Sequence, residues 1–132
     1  MNGMNDSGAR ETFATGSVRD TAADKPRPDL ISPFAEARLG EWLRKGAAKY
    51  AERNWEKGQP FTRVVASLRR HLMAYQMGRT DEDHMAACMC NAMFLLHYEE
   101  MVARGVLPKE LNDMPQYEAK ERGILEGPVT AH

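Results

Sequence analysis

Apolar residues recur at spacings of three and four in three stretches of the chain, and this period predicts three amphipathic helices. The first predicted helix runs from Pro33 to about Ala51, with Ser32 as its N-cap and proline at the first helical position. The second runs from about Phe61 to Met77, and the third from Thr80 to Gly105. No stretch shows the alternation of a strand.

The third predicted helix carries both core residues and unusual polar ones. Thr80 and Asp83 match a capping box, and Gly105 is expected to end the helix. One apolar row is expected to face the other helices: Met85, Met89, Ala92, Met93 and Leu96. A second row of the same spacing contains an imidazole and a carboxamide: His84, Ala87, Asn91, Leu95 and Tyr98.

Only Gly78 and Arg79 separate the second predicted helix from Thr80, so these two helices should be antiparallel neighbours. This arrangement brings His71 close to the start of the third helix, where Asp81, Glu82 and His84 lie. The metal-capable side chains therefore converge at one end of a helical hairpin. A hydrogen-bonded core histidine is the alternative for His71, and N-terminal capping is the alternative for the acidic residues.

These patterns predict an all-α fold, a bundle of three main antiparallel helices followed by short C-terminal helical turns. We divide the chain into a disordered tail over residues 1–24, a helical domain over residues 25–105 and a loosely ordered tail over residues 106–132. A chain of 132 residues with two such tails buries only a modest core, so we expect a homo-oligomer.

Charge and cysteine content exclude several classes of function. With 18 Lys and Arg against 19 Asp and Glu, the net charge is -1, so no stable nucleic-acid binding or attraction to a membrane surface is expected. Cys88 and Cys90 point away from each other on a helix and are interpreted as reduced thiols. No apolar run approaches the roughly 20 residues of a membrane helix, and we expect a cytoplasmic protein.

Four segments occur in a recognisable order: KPRPDLI, GAAKYAERNWEKG, LRRHLMAYQMG and DHMAACMCNAMFLLHYE. Together, from Lys25 to Glu99, they resemble the phage-encoded dATP/dGTP diphosphohydrolase family, related to the MazG-like branch of the all-α nucleotide pyrophosphohydrolases. The resemblance implies a MazG-like dimer or tetramer in the host cytoplasm. It also implies that a divalent metal, Mg²⁺ or Mn²⁺, is used to hydrolyse dGTP or dATP to the monophosphate and pyrophosphate, which would shape the deoxynucleotide pool.

This chain departs from the wider superfamily where acidic pairs hold the metal. Histidine replaces glutamate at these positions, and Ala87 stands where a ligand, often histidine, is expected. The resemblance sets the metal positions near His71 and near His84 to Ala87, and because the hydrolysis also calls for a general base, catalysis is assigned to Glu82 and His84. Metal ligation is assigned to His71, Asp81, Glu82, Asp83 and His84. Substrate binding is assigned to Lys25, Arg27, Lys49, Tyr50, Arg53, Asn54, Trp55, Arg63 and Asn91.

Two alternatives stay open. Trp55 can stack on a purine or anchor the loop over the helix ends, and Lys25 and Arg27 can bind phosphate or belong to a proline-stiffened surface segment. The alternative function is a non-catalytic helical module that binds a nucleotide or a protein, with the methionine-rich row as its partner surface. Retention of metal binding despite Ala87 would favour the enzyme.

Overall fold

The computed structural model describes residues 9–117 and confirms an all-α fold. Three helices dominate: α1 (Pro33–Lys49), α2 (Phe61–Gln76) and α3 (His84–Ala103). A small antiparallel hairpin, β1 (Arg10–Thr12) and β2 (Val18–Asp20), precedes them. Short 3-10 helices occupy Pro28–Leu30, Asn54–Lys57 and Lys109–Leu111. The chain forms two compact units, one up to Glu36 and one from Ala37.

The first unit contains the β-hairpin, which the sequence did not reveal. Arg10 pairs with Asp20 and Thr12 with Val18 across the two strands, and Gly16 supplies the positive φ of +89° that the turn requires. Each strand has three residues, which is too short for an alternating pattern to be read.

The end of the first unit leads into α1. Arg27 donates from Nε and Nη2 to Asp29 at 3.0 and 2.8 Å, so its guanidinium is already paired with a carboxylate. Ser32 Oγ accepts a hydrogen bond from the Ala35 amide at 3.2 Å, which confirms the predicted N-cap. Lys25 lies in the same unit.

The second unit is built on the antiparallel hairpin of α2 and α3. Its core consists of Phe61, Val64 and Tyr98. The Tyr98 side chain is completely buried, and its hydroxyl donates to the carbonyl oxygen of Trp55 at 2.5 Å. Partly buried side chains surround this core: Trp55, Phe94, Leu95, Leu107, Leu111 and Met114.

The start of α3 differs from the prediction. The helix begins at His84, and its N-cap is Asp83, whose Oδ1 accepts from the Ala86 amide at 3.2 Å. The predicted cap at Thr80 is therefore wrong. Asp83 also accepts hydrogen bonds from Arg38 of α1 at 2.5 and 2.8 Å. The residue that caps the helix is therefore also the one that forms the ion pair with α1. Asp81 and Glu82 lie in the loop before the helix.

The buried face of α3 is the second row of residues, so the expectation that the methionine row faces the other helices is wrong. Ala87 and Tyr98 are fully buried, whereas Leu96 is 66% exposed. Because α3 is apolar around most of its circumference, hydrophobic periodicity does not select one face. His84 and Asn91 can be buried because both are hydrogen-bonded.

The segment after α3 packs against the start of α2. Gly105 has φ of +74° and follows the helix, as predicted for a C-terminal glycine. Asp113 accepts from both the amide and the hydroxyl of Thr62, at 2.9 and 2.7 Å. Leu111 lies under Gly58, where an added Cβ would approach its Cδ1 to 2.7 Å. Residues 118–132 of the predicted C-terminal tail lie outside the described residues.

Within residues 9–117, no helix combines the length and apolarity that would let it span a membrane.

Candidate functional site

A cleft of about 940 Å³ lies in the second unit, lined by α1, the following loop, α2 and α3. At one end it is bounded by residues near the loop between α2 and α3, which we call the metal end. The opposite end is bounded by the end of α1 and the start of α2, which we call the open end. The cleft brings together ten of the predicted site residues: Lys49, Tyr50, Arg53, Asn54, Trp55, Arg63, His71, Asp81, Glu82 and Asn91.

Three potential ligands meet at the metal end. The ligand atoms of His71, Glu82 and His84 all lie within 4.8 Å of one another, and this group could hold a metal ion. His71 comes from α2, Glu82 from the connecting loop and His84 from the first turn of α3. The predicted convergence at one end of the hairpin is confirmed. Two imidazole nitrogens and one carboxylate oxygen suit a first-row transition ion better than Mg²⁺.

The two histidines contact each other directly. His71 Nδ1 lies 2.9 Å from His84 Nδ1, and His84 is only 5% exposed. The rings of Trp42 and His71 pack nearly perpendicular to each other, with centroids 5.5 Å apart. Burial lowers the pKa of His71, which favours the neutral imidazole that metal ligation requires.

The three acidic residues of the loop have different surroundings. Asp81 Oδ1 lies 2.9 Å from His84 Nε2, and this hydrogen bond is the main reason that the pKa of Asp81 is lowered. Asp83 caps α3, and the hydrogen bond from Arg38 is the main reason that its pKa is lowered. Among the described residues, Glu82 forms no hydrogen bond or ion pair, which leaves its exposed carboxylate available to a ligand.

Cationic side chains line the walls towards the open end. Within residues 9–117 neither Lys49 nor Arg63 forms an ion pair, whereas Arg53 Nη1 binds Glu56 Oε1 at 2.5 Å. Lys49 Nζ lies 5.2 Å from the centroid of the Tyr50 ring, which is 66% exposed. Lys45 also lines the cleft and was missed, although its position one turn before Lys49 on α1 was a usable signal.

Trp55 is held from several sides. Its ring stacks on Phe94 with centroids 4.6 Å apart, His97 packs against it edge-on at 4.8 Å, and its carbonyl oxygen accepts from Tyr98. These contacts support the interpretation of Trp55 as a loop anchor. Trp55 nevertheless lines the cleft with Asn54.

Asn91 lies on the α3 wall of the cleft and is 9% exposed. Its Nδ2 donates to the Ala87 carbonyl at 2.9 Å and to Ser67 Oγ at 3.3 Å. Because both amide protons are used inside the protein, Oδ1 is left as a hydrogen-bond acceptor. Ser67 was not predicted, since nothing in its local sequence marks it.

Two predicted residues lie outside this unit and two lie beside the cleft. Lys25 and Arg27 belong to the first unit, and Asp83 with His84 lines a smaller cavity of about 250 Å³ beside Arg38 and Arg79. Glu82 lines both cavities.

The family model described as dATP/dGTP diphosphohydrolase, N-terminal, matches residues 15–105. The chain belongs to this family. Searches of curated proteins and of solved structures gave no match. The matched region includes the whole metal end and the cationic walls of the cleft.

Proposed function

We propose that this chain is a metal-dependent nucleotide diphosphohydrolase that converts dGTP, dATP or both to the monophosphate and pyrophosphate. The observation that carries the proposal is the group of His71, Glu82 and His84 at one end of a cleft lined by cations. The family description supports a purine deoxynucleotide as substrate. Such an activity would shape the deoxynucleotide pool of the cytoplasm.

The metal would be held by His71, Glu82 and His84, whose nitrogen and oxygen atoms fit a divalent ion. Mg²⁺ and Mn²⁺ are the candidates, and the two imidazoles favour Mn²⁺. When bound there, a divalent ion supplies positive charge that neutralises phosphate oxygens and lowers the pKa of the attacking water.

The reaction requires water to attack the α-phosphorus while the bond from that phosphorus to the bridging oxygen breaks. Pyrophosphate then leaves with the bridging oxygen, and the water gives up a proton. Glu82 is the candidate general base because its carboxylate has no other partner among residues 9–117. His84 is the second residue that we assign to the reacting centre.

The substrate would extend from the metal end towards the open end. Lys49 and Arg63 are available to phosphate oxygens, and arginine can bind them in a bidentate manner. Arg53 can contribute only by leaving Glu56. The exposed ring of Tyr50 is the better candidate for base stacking, because Trp55 is already stacked on Phe94. Asn54 and Asn91 remain candidates for reading the base edge.

We also propose that the protein is a homo-oligomer, a dimer or a tetramer. Met73, Met77 and Leu96 are 54%, 67% and 66% exposed, and they belong to the hairpin that forms the core of the second unit. Such apolar surface on a folded chain is typical of an interface. Light scattering coupled to size-exclusion chromatography measures the mass, and a monomer at micromolar concentration would contradict the proposal.

The function is tested by incubating the purified protein with each deoxynucleoside and ribonucleoside triphosphate, in Mg²⁺ or Mn²⁺, and separating all products. We expect monophosphate and pyrophosphate from dGTP or dATP, and strong loss of turnover in Glu82→Gln. Glu99→Gln is the matched control, because Glu99 is exposed on α3 outside the cleft. Absence of turnover with every nucleotide and metal would favour a non-catalytic binding module.

A further inference from the structure

The carboxylate of Asp81 is engaged on both sides by other side chains of the protein. Its Oδ1 lies 2.9 Å from His84 Nε2, and its Oδ2 accepts from Arg79 Nη2 at 2.9 Å. A carboxylate held in this way has no oxygen left that is free of a partner. Glu82, the next residue, differs because it makes no such contact within residues 9–117.

This contact determines which nitrogen of His84 carries a proton. An ionised carboxylate can only accept, so the Nε2 atom of His84 must donate to Asp81. In neutral His84 the lone pair is then on Nδ1. That atom lies 2.9 Å from His71 Nδ1, so it faces the other histidine of the candidate metal group. In the metal-free protein, His71 therefore donates from Nδ1 to His84.

From this geometry we infer that Asp81 is a positioning residue that acts through His84. Its hydrogen bond holds the His84 ring in one orientation and one tautomer, with Nδ1 presented to the site. Asp81 is then not a metal ligand itself, and Arg79 fixes its carboxylate by donating to Oδ2. This inference deepens the proposed function and rests on it for the identity of the ligand that Nδ1 meets; the tautomer of His84 does not depend on it.

A carboxylate that accepts a hydrogen bond from a metal-ligating histidine affects metal affinity indirectly. It orients the ring and raises the basicity of the ligating nitrogen, and its loss typically weakens metal binding by about 10- to 100-fold. The set of ligand atoms around the ion stays the same. A direct ligand behaves differently, because its removal changes the coordination sphere.

The first experiment uses the metal-free protein labelled with ¹⁵N in histidine. Long-range ¹H–¹⁵N spectra at pH 8 should show His84 protonated at Nε2, with a proton that exchanges slowly with water. Asp81→Ala should lose that slow exchange, whereas Asp24→Asn, a change at an exposed aspartate in the first unit, should not. A His84 ring protonated at Nδ1 in the wild-type protein would overturn the inference, whether or not the protein binds metal.

The second experiment measures binding of Mn²⁺ and Co²⁺ without nucleotide. Asp81→Asn, which preserves the shape of the side chain, should bind each ion about 10- to 100-fold more weakly, with the Co²⁺ absorption bands of the saturated protein unchanged. Wild-type affinity in Asp81→Asn, or shifted Co²⁺ bands, would overturn the inference. If the wild-type protein bound neither ion, the proposed metal-dependent function would fail, and the tautomer measurement would still decide the role of Asp81.

Discussion

The two ends of the cleft differ in how their side chains are held. At the metal end, His71, His84 and Asp81 are joined by hydrogen bonds of 2.9 Å, and His84 is buried. At the open end, Lys49 and Arg63 have no ion-pair partner within residues 9–117. The groups at the metal end are thus held by hydrogen bonds to one another, whereas Lys49 and Arg63 are not held by ion pairs within the described residues.

Because the two ends differ in this way, we expect substitutions at each end to affect a different kinetic parameter. Rigid, hydrogen-bonded groups suit the reacting centre, where small displacements reduce the rate severely. Cations without an ion-pair partner within residues 9–117 suit the binding of phosphates. Substitutions at the metal end should therefore lower kcat, and substitutions at the open end should mainly raise KM.

The largest effect is expected for His84→Ala. In the proposed function this imidazole is a metal ligand and part of the reacting centre, so its removal should lower turnover by about 10²- to 10⁴-fold. The core of Phe61, Val64 and Tyr98 is separate from this end, so far-UV circular dichroism should stay close to wild type. Wild-type turnover in a folded His84→Ala protein would remove His84 from the site.

A smaller and different effect is expected for Arg63→Ala. Loss of a charge-assisted hydrogen bond to phosphate should raise KM for dGTP by about 10- to 100-fold with kcat largely retained. Steady-state kinetics separate the two parameters. Arg69→Ala is the matched control, since Arg69 is exposed on α2 and does not line the cleft. A fall in kcat without a change in KM would contradict the expectation that substitutions at the open end mainly raise KM.

Tyr98→Phe tests the hydrogen bond between the Tyr98 hydroxyl and the backbone of Trp55, which lines the cleft. The hydroxyl is buried and donates to the Trp55 carbonyl, and burial raises the pKa of Tyr98 to about 12, so it stays a donor at neutral pH. That carbonyl also accepts from the Gly58 amide at 3.1 Å, so the substitution removes one of its two hydrogen bonds and should lower the free energy of unfolding by about 0.5–1.5 kcal/mol. Urea unfolding measures this, with Tyr75→Phe as an exposed control. An equal decrease in the free energy of unfolding of both variants would show that the buried Tyr98 hydroxyl stabilises the protein no more than an exposed one.

The smallest effect concerns Asp113, which holds the start of α2 through Thr62. Hydrogen bonds from Thr62 lower the pKa of Asp113, so the folded state favours the ionised carboxylate. This stabilisation is present above the ordinary aspartate pKa of about 3.9 and is lost as pH falls through the lowered value. The Tm of Asp113→Ala should lie below that of wild type at pH 7, and the gap should close in acid. A gap independent of pH would show that ionisation is not involved.

Much of the helical architecture could be predicted from the sequence. Proline at position 33, Ser32 and the apolar periods define α1 and α2 closely, since local hydrogen bonds and steric limits act there directly. The meeting of His71 with His84 also followed from a short connection between antiparallel helices. These features depend on residues that are close in sequence.

The features that were missed depend on contacts between distant residues. Asp83 caps α3 in place of Thr80 partly because Arg38, 45 residues away in the sequence, binds it. The buried face of α3 could not be selected by periodicity, because both rows are largely apolar. Ser67 became a site residue only through its contact with Asn91 on another helix. For Lys45, which also lines the cleft, the only local signal was its spacing on α1.

The most direct test of the central claim is hydrolysis of dGTP by the wild-type protein with Mn²⁺ in ¹⁸O-labelled water. The account predicts dGMP and pyrophosphate, with the label in dGMP because water attacks the α-phosphorus at the metal end. Label in pyrophosphate, or release of dGDP and phosphate, would contradict the account.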